Sequence, residues 1–152
     1  MTPPALVFVA TALVDVGAPV AVGGANGRLR RMIPIEGGTV SFASGRTGTV
    51  RPGGADWQDA DAEFIELSAR YAVDLDTGGL LLVENDGVRT TSAETGQALL
   101  RGEPVDPEQV YMRTVARFST DDPELAPLAR RIVLGVGRRR PASVEIDFYE
   151  VR

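Results

Sequence analysis

The segment Pro52-Gly53-Gly54-Ala55-Asp56-Trp57-Gln58 sets a carboxylate, an amide and the chain's only tryptophan directly after two glycines. Paired glycines let the backbone take positive φ or come close to a ligand, and a tryptophan offers a large stacking face with one N–H donor. As a loop at a barrel mouth, this segment would lay Trp57 and Gln58 against a ligand and present Asp56 as acceptor or base. A second reading fits the residues equally well: Asp56 caps the turn through its own backbone and Trp57 plugs one end of the barrel. A phosphate loop is excluded, because there is no GxGxxG, no lysine and no helix following.

Arg70-Tyr71 and Tyr111-Met112-Arg113 form a second group. On a strand, Tyr111 and Arg113 share one face, whereas Arg70 and Tyr71 point to opposite faces. An arginine inside a barrel would anchor a carboxylate, enolate or phenolate, and a tyrosine beside it could donate a proton. Tyr111 and Arg113 therefore join Asp56 as candidate catalytic residues, and Arg70 and Tyr71 join Trp57 and Gln58 as candidate ligand contacts. The plainer alternative is that strand arginines face water and Tyr71 packs in the core; Arg51, Arg89 and Arg117 are read that way. Glu84 and Asn85 end the apolar run from Leu80 to Val83 and complete the ligand-contact set. A glutamate projecting into a cavity there would have a raised pKa, although a strand-end glutamate more often reaches solvent. The acidic stretch from Asp59 to Glu63 and the pair Asp121-Asp122 lack EF-hand spacing and read as loop solvation.

What is missing narrows the chemistry further. The chain has no cysteine and no histidine, and its 16 basic residues are all arginine. Thiol nucleophiles, imidazole acid–base chemistry, Schiff-base lysines and thiolate or imidazole metal sites are thus excluded. Proton transfer falls to Asp, Glu or Tyr, with Ser or Thr as nucleophiles and Arg as a fixed cation. No cofactor and no metal are expected. A net charge of -5 and a pI near 4.8 argue against nucleic acid or an anionic membrane as partner. The run Arg138-Arg139-Arg140 before Pro141 reads as a solvated turn. Met1-Thr2-Pro3-Pro4 lacks the positive start of a signal peptide, and the apolar stretch from Ala5 to Val14 is too short to span a bilayer. A cytoplasmic protein is expected.

These residues need a scaffold, and the sequence predicts strands to supply it. With 152 residues and a 43% apolar share, one domain over residues 1–152 is expected. From Glu63 to Leu75 the apolar residues Ile65, Leu67, Ala69, Tyr71, Val73 and Leu75 alternate with mostly polar neighbours, a period of two. Further strands are expected over 5–14, 30–36, 39–43, 46–51, 80–84, 111–119, 132–136 and 144–151, with Val88-Arg89-Thr90 following a turn after 80–84. Gly17 to Gly27 reads as a mobile loop, and Asn85-Asp86-Gly87 as a turn. Thr91 and Glu94 have capping-box spacing for one short helix that stops at Gly102. Asp106-Pro107 and the stretch from Asp122-Pro123 to Arg130 suit brief helical turns. Short turns between successive strands predict an all-β, mainly antiparallel, eight- to nine-stranded closed barrel, with a two-sheet β-sandwich as the alternative.

Several stretches together resemble the domain-of-unknown-function family numbered 3237. They are Gly27-Arg28 through Ile35 with Gly37-Gly38; Gly48-Thr49-Val50 running into Pro52 to Gln58; Ala69-Arg70-Tyr71; Asp76 to Gly79 with Leu80 to Asn85; Gly102 to Pro107; and Tyr111-Met112-Arg113-Thr114 with Phe118. The resemblance spans nearly the whole chain, and the Pro-Gly-Gly-Ala-Asp-Trp-Gln run is its most specific part. It implies a compact β-barrel with a central cavity near that run and self-association into a homodimer or larger homo-oligomer. Where the family usually carries an aromatic-rich segment, this chain has Leu125-Ala126-Pro127-Leu128-Ala129; if that segment lines the cavity, the cavity here is more apolar or wider.

Two functions follow. One is a cofactor-independent cyclase, isomerase or lyase acting on a hydrophobic oxygenated metabolite, polyketide- or aromatic-like, by shaping it and stabilising charge. The other is a binding or carrier protein that uses the same cavity without chemistry. A barrel filled with side chains would indicate an interaction protein instead.

Overall fold

The computed structural model describes residues 1–24 and 27–152. Ten strands form one antiparallel sheet: β1 (Leu6–Val16), β2 (Val20–Gly23), β3 (Leu29–Phe42), β4 (Thr47–Val50), β5 (Gly54–Ala60), β6 (Phe64–Leu75), β7 (Leu80–Thr90), β8 (Tyr111–Thr120), β9 (Val133–Arg139) and β10 (Ser143–Val151). The sheet runs β1-β10-β9-β8-β7-β6 and returns through β4 and β5 to β3, which pairs with β1 and closes the barrel. β4 and β5 follow one another along the same edge of β3, and β2 extends the β1 edge, so eight strand positions hold ten strands. Closure removes the free edges a flat sheet would expose.

β6 behaves as its alternation predicts: Ile65, Leu67, Ala69, Tyr71, Val73 and Leu75 are all buried. β7 differs from the reading as two pieces. Asn85-Asp86-Gly87 makes no turn; each residue pairs with both β6 and β8, and the strand runs unbroken from Leu80 to Thr90. β3 likewise passes through Gly37-Gly38 without ending. The register shift opposite these glycines, between Asp15 and Val16 on β1, switches the inward residues of β3 from odd (Arg31, Ile33, Ile35) to even (Val40, Phe42). Gly38 has φ of +130°, and a Cβ there would stand 2.0 Å from the Leu13 carbonyl oxygen, so only glycine fits. The stretch expected as a loop after Gly17 contains the short strand β2, and its residues Ala25 and Asn26 lie outside the described residues.

One α-helix, α1 (Ala93–Leu100), follows β7, and its N-cap is Ser92 rather than Thr91. The Ser92 hydroxyl accepts the Thr95 N–H at 3.1 Å. Gly102, at φ of +72°, ends the segment as expected. Asp106 caps a 3-10 turn over Pro107–Gln109, and a second such turn covers Ala126–Arg130. No helix among the described residues is long and apolar enough to cross a membrane.

The barrel has a filled end and an open end. Phe42, Tyr71, Val73, Leu75, Leu81, Phe118 and Phe148 pack the filled end, and Leu125 closes it. The segment from Leu125 to Ala129 thus plugs the filled end and does not line a cavity. Outside that plug, Arg46 bonds Asp122 at 2.6 Å, Asp76 at 2.8 Å and Glu124 at 2.8 Å. At the open end a smaller cluster of Ala60, Ile65, Leu67 and Met112 leaves space above it.

Candidate functional site

The barrel mouth holds a cavity of about 380 Å³ whose walls include Arg31 and Ile33 (β3), Asp56 and Gln58 (β5), Ile65 and Leu67 (β6), Arg89 (β7), Met112 (β8), Arg139 (β9) and Val144 (β10). That size lies within the usual range for small-molecule sites. Helix α1 lies across the mouth, offering Leu99 and Leu100 to the cavity. Two smaller hollows flank it, one sharing Arg31, Arg89 and Leu100 with the main cavity and the other sharing Leu99, Arg139 and Pro141. The small inward residue of β9 matters here: a Cβ on Gly137 would stand 2.5 Å from the Met112 sulfur and push that side chain aside.

Strand parity decides which polar groups enter. Gly54–Ala60 is a strand and not a loop, so its even residues point in and its odd residues point out. Asp56 and Gln58 enter the cavity; Trp57, 39% exposed, lies on the outer wall beneath the Arg30 guanidinium at 5.9 Å. Gln58 links the two charges beside it. It accepts from Arg31 Nε at 2.9 Å and donates to Asp56 Oδ2 at 2.6 Å, while Asp56 Oδ1 accepts the Ser68 backbone N–H at 3.0 Å. Burial pushes the Asp56 carboxyl up to about 6, against the lowering effect of its bonds to Gln58 and Ser68 and of the Arg31 and Arg89 charges. Burial also lowers all three cavity arginines: Arg31, Arg139 and most of all Arg89, brought down to about 10 with help from the Arg31 and Arg139 charges.

The other expected site residues fall elsewhere. Tyr111 is 53% exposed and stacks outside the barrel against the Arg113 guanidinium at 4.9 Å. Both are outward residues on β8, so neither meets Asp56. Arg70 and Glu84 are cross-strand partners on the outer wall, 3.3 Å apart, and Arg70 also bonds Asp86. Tyr71 and Asn85 do point inward, but they are buried below the cavity and do not line it. The Tyr71 hydroxyl, both amide atoms of Asn85 and the Thr114 hydroxyl are buried with no partner among the described residues. Lack of solvent pushes the Tyr71 phenol well above its usual range, so it stays protonated.

Arg31, Arg89 and Arg139 are the site residues that the sequence reading missed. The sequence suggests a solvent-facing Arg89 and an Arg139 in a turn, yet each continues the inward alternation of its strand: Leu81-Val83-Asn85-Gly87-Arg89 on β7 and Val133-Gly135-Gly137-Arg139 on β9. Among the described residues, no group of three acidic side chains could hold a metal ion.

The comparisons agree with this architecture. A UPF0311 protein of Rhodopseudomonas palustris is 39% identical over 145 residues, 95% of this chain and 94% of its own length. The crystal structure of a conserved protein from Rhodopseudomonas palustris superposes with a TM-score of 0.91 at 40% identity, covering 100% of both chains. A β-barrel-like protein from Acinetobacter baumannii gives 0.84 at 32% identity, covering 100% of this chain and 98% of its own. At 17% identity, an enzyme from Penicillium herquei shares the fold, with a TM-score of 0.72 over 100% of this chain and 97% of its own. The family model described as "Protein of unknown function (DUF3237)" matches residues 4–151, and the chain belongs to that family.

Proposed function

We propose that this barrel takes a largely apolar, oxygenated metabolite, polyketide- or aromatic-like, into its mouth and acts on it as a cofactor-independent cyclase, isomerase or lyase. The observation that carries this reading is Asp56: the only carboxylate on the cavity wall among the described residues, fixed by two hydrogen bonds and raised to about 6. A carboxylate of that basicity takes a proton from a substrate O–H or an acidified C–H and returns it elsewhere on the same molecule. Ile33, Ile65, Leu67, Met112 and Val144 supply the apolar walls that shape the substrate. The Penicillium herquei protein is an enzyme, so the fold admits catalysis; for this chain the reading rests on Asp56. The small molecule is the expected partner, in the cytoplasm, with a homo-oligomer as the working form.

A carrier that uses the cavity without chemistry is the second reading. It is favoured by the cavity wall, which among the described residues offers no second carboxylate and no tyrosine to work with Asp56. Incubating the purified protein with oxygenated aromatic and polyketide-like compounds, followed by mass spectrometry, separates the two. Catalysis requires product formation that falls about 100-fold or more in Asp56→Asn while binding is retained. Binding with no product from any compound leaves the carrier.

A further inference from the structure

The arginines of this protein divide in a way that points to the charge of the ligand. Among the described residues, ten of the 16 arginines lie within 4.0 Å of a carboxylate, and none of the ten lines the cavity. Of the remaining six, Arg113, Arg117 and Arg130 are exposed to water. The last three are Arg31, Arg89 and Arg139, and all three line the one cavity. Arg31 is only 7% exposed, and among the described residues its sole side-chain bond is to the neutral Gln58. Arg139 is held through Nη1 by the carbonyls of Arg140 and Ser143, also neutral groups. Among the described residues, Arg89 makes no side-chain hydrogen bond at all.

Around the cavity, β3, β7 and β9 each contribute one arginine and β5 contributes Asp56. The wall residues of β6, β8, β10 and α1 (Ile65, Leu67, Met112, Val144, Leu99 and Leu100) are uncharged. The mouth therefore carries three positive charges against one negative. Partly desolvated guanidinium groups that share a single carboxylate, with none of them in direct contact with it, are costly, and their planar forks match an oxyanion with two oxygens. We propose that Arg31, Arg89 and Arg139 form an anion-binding site, and that the ligand is an organic carboxylate or acidic phenolate whose apolar body lies against Ile65, Leu67, Met112 and Val144. This rests on the cavity being the ligand site and adds that the ligand enters already charged. The apolar wall argues against inorganic phosphate, which would leave those side chains bare.

Calorimetry on the full chain tests this with 2-naphthoate, its neutral isostere 2-naphthalenemethanol, and inorganic phosphate. Naphthoate is expected to bind at least tenfold more tightly than the alcohol and more tightly than phosphate. That preference should shrink tenfold or more in Arg89→Gln and in Arg139→Gln, and persist in Arg117→Gln, which alters a water-exposed arginine. Should one cavity variant fail to fold, the wild-type preference and the other variant still decide. Equal affinity for naphthoate and the alcohol would overturn the anion site while leaving the cavity as a neutral-ligand site. An equal loss in Arg117→Gln would overturn it too, by showing a diffuse charge effect. Binding of none of the probes would overturn both the anion site and the cavity reading beneath it.

Discussion

Asp56 and Trp57 are adjacent on β5 and point to opposite sides of the barrel wall. Asp56 faces the cavity with Gln58 and Arg31, whereas the Trp57 ring lies outside under Arg30 at 5.9 Å. The most conspicuous aromatic residue of the chain is thus separated from the site by the sheet itself. Trp57→Ala is expected to change affinity for a cavity ligand by less than about twofold, because an exposed cation–π contact contributes only about 0.5–1 kcal/mol and none of it reaches the cavity. Titration of wild type and variant with the same ligand checks this.

The Asp56 carboxyl makes folding stability depend on pH in a direction opposite to that of an ion-paired aspartate. Its folded pKa, about 6, lies above its ordinary 3.8, so the folded state holds a proton that the unfolded chain has released. Stability is therefore lost as pH rises from about 4 through about 6. About two pKa units at 1.36 kcal/mol each set an upper bound of roughly 3 kcal/mol. Asp56→Asn removes this dependence and should be the more stable protein at pH 8 and close to wild type at pH 4. Urea denaturation at both values measures the difference.

Asn85 carries an internal cost. It is fully buried on β7 between Ala69 and Ala116, and neither end of its amide has a partner among the described residues. A buried unpaired polar group costs about 1–3 kcal/mol, and valine suits a strand interior better than asparagine. Asn85→Val should raise stability by about 1–2 kcal/mol, read as a higher denaturation midpoint with an unchanged slope.

Gly38 is required by contact as well as by φ. Gly38→Ala would force a Cβ to within 2.0 Å of the Leu13 carbonyl oxygen at the point where β3 changes inward parity. A loss of about 2 kcal/mol or more is expected from the strain, measurable by thermal unfolding.

The barrel was legible in the sequence because its signal is repetitive: the period of two from Ile65 to Leu75 and the short turns between strands need no tertiary information. Asp56 and Gln58 were legible because a carboxylate and an amide after Gly53-Gly54 stand out by type. The arginines were not, because facing depends on counting residues along an unbroken strand. Reading Asn85-Asp86-Gly87 as a turn severed β7 and cost Arg89 its parity, although those residue types do favour turns elsewhere. Reading Arg138-Arg139-Arg140 as a solvated cluster hid the fact that only the middle residue points inward. The i, i+2 spacing of Tyr111 and Arg113 puts them on a common face, but nothing local says whether that face is the inner or the outer one. The buried neighbours Met112, Thr114 and Ala116 settle it.

The most direct measurement is a carbon-13 NMR titration of the Asp56 carboxyl, assigned by the signal that disappears in Asp56→Asn. A midpoint near 6 is expected for the free protein, since burial in the arginine-lined mouth outweighs the hydrogen bonds from Gln58 and Ser68. A midpoint below 4 would show an ordinary solvated carboxylate, and would contradict the assignment of Asp56 as the group poised for proton transfer.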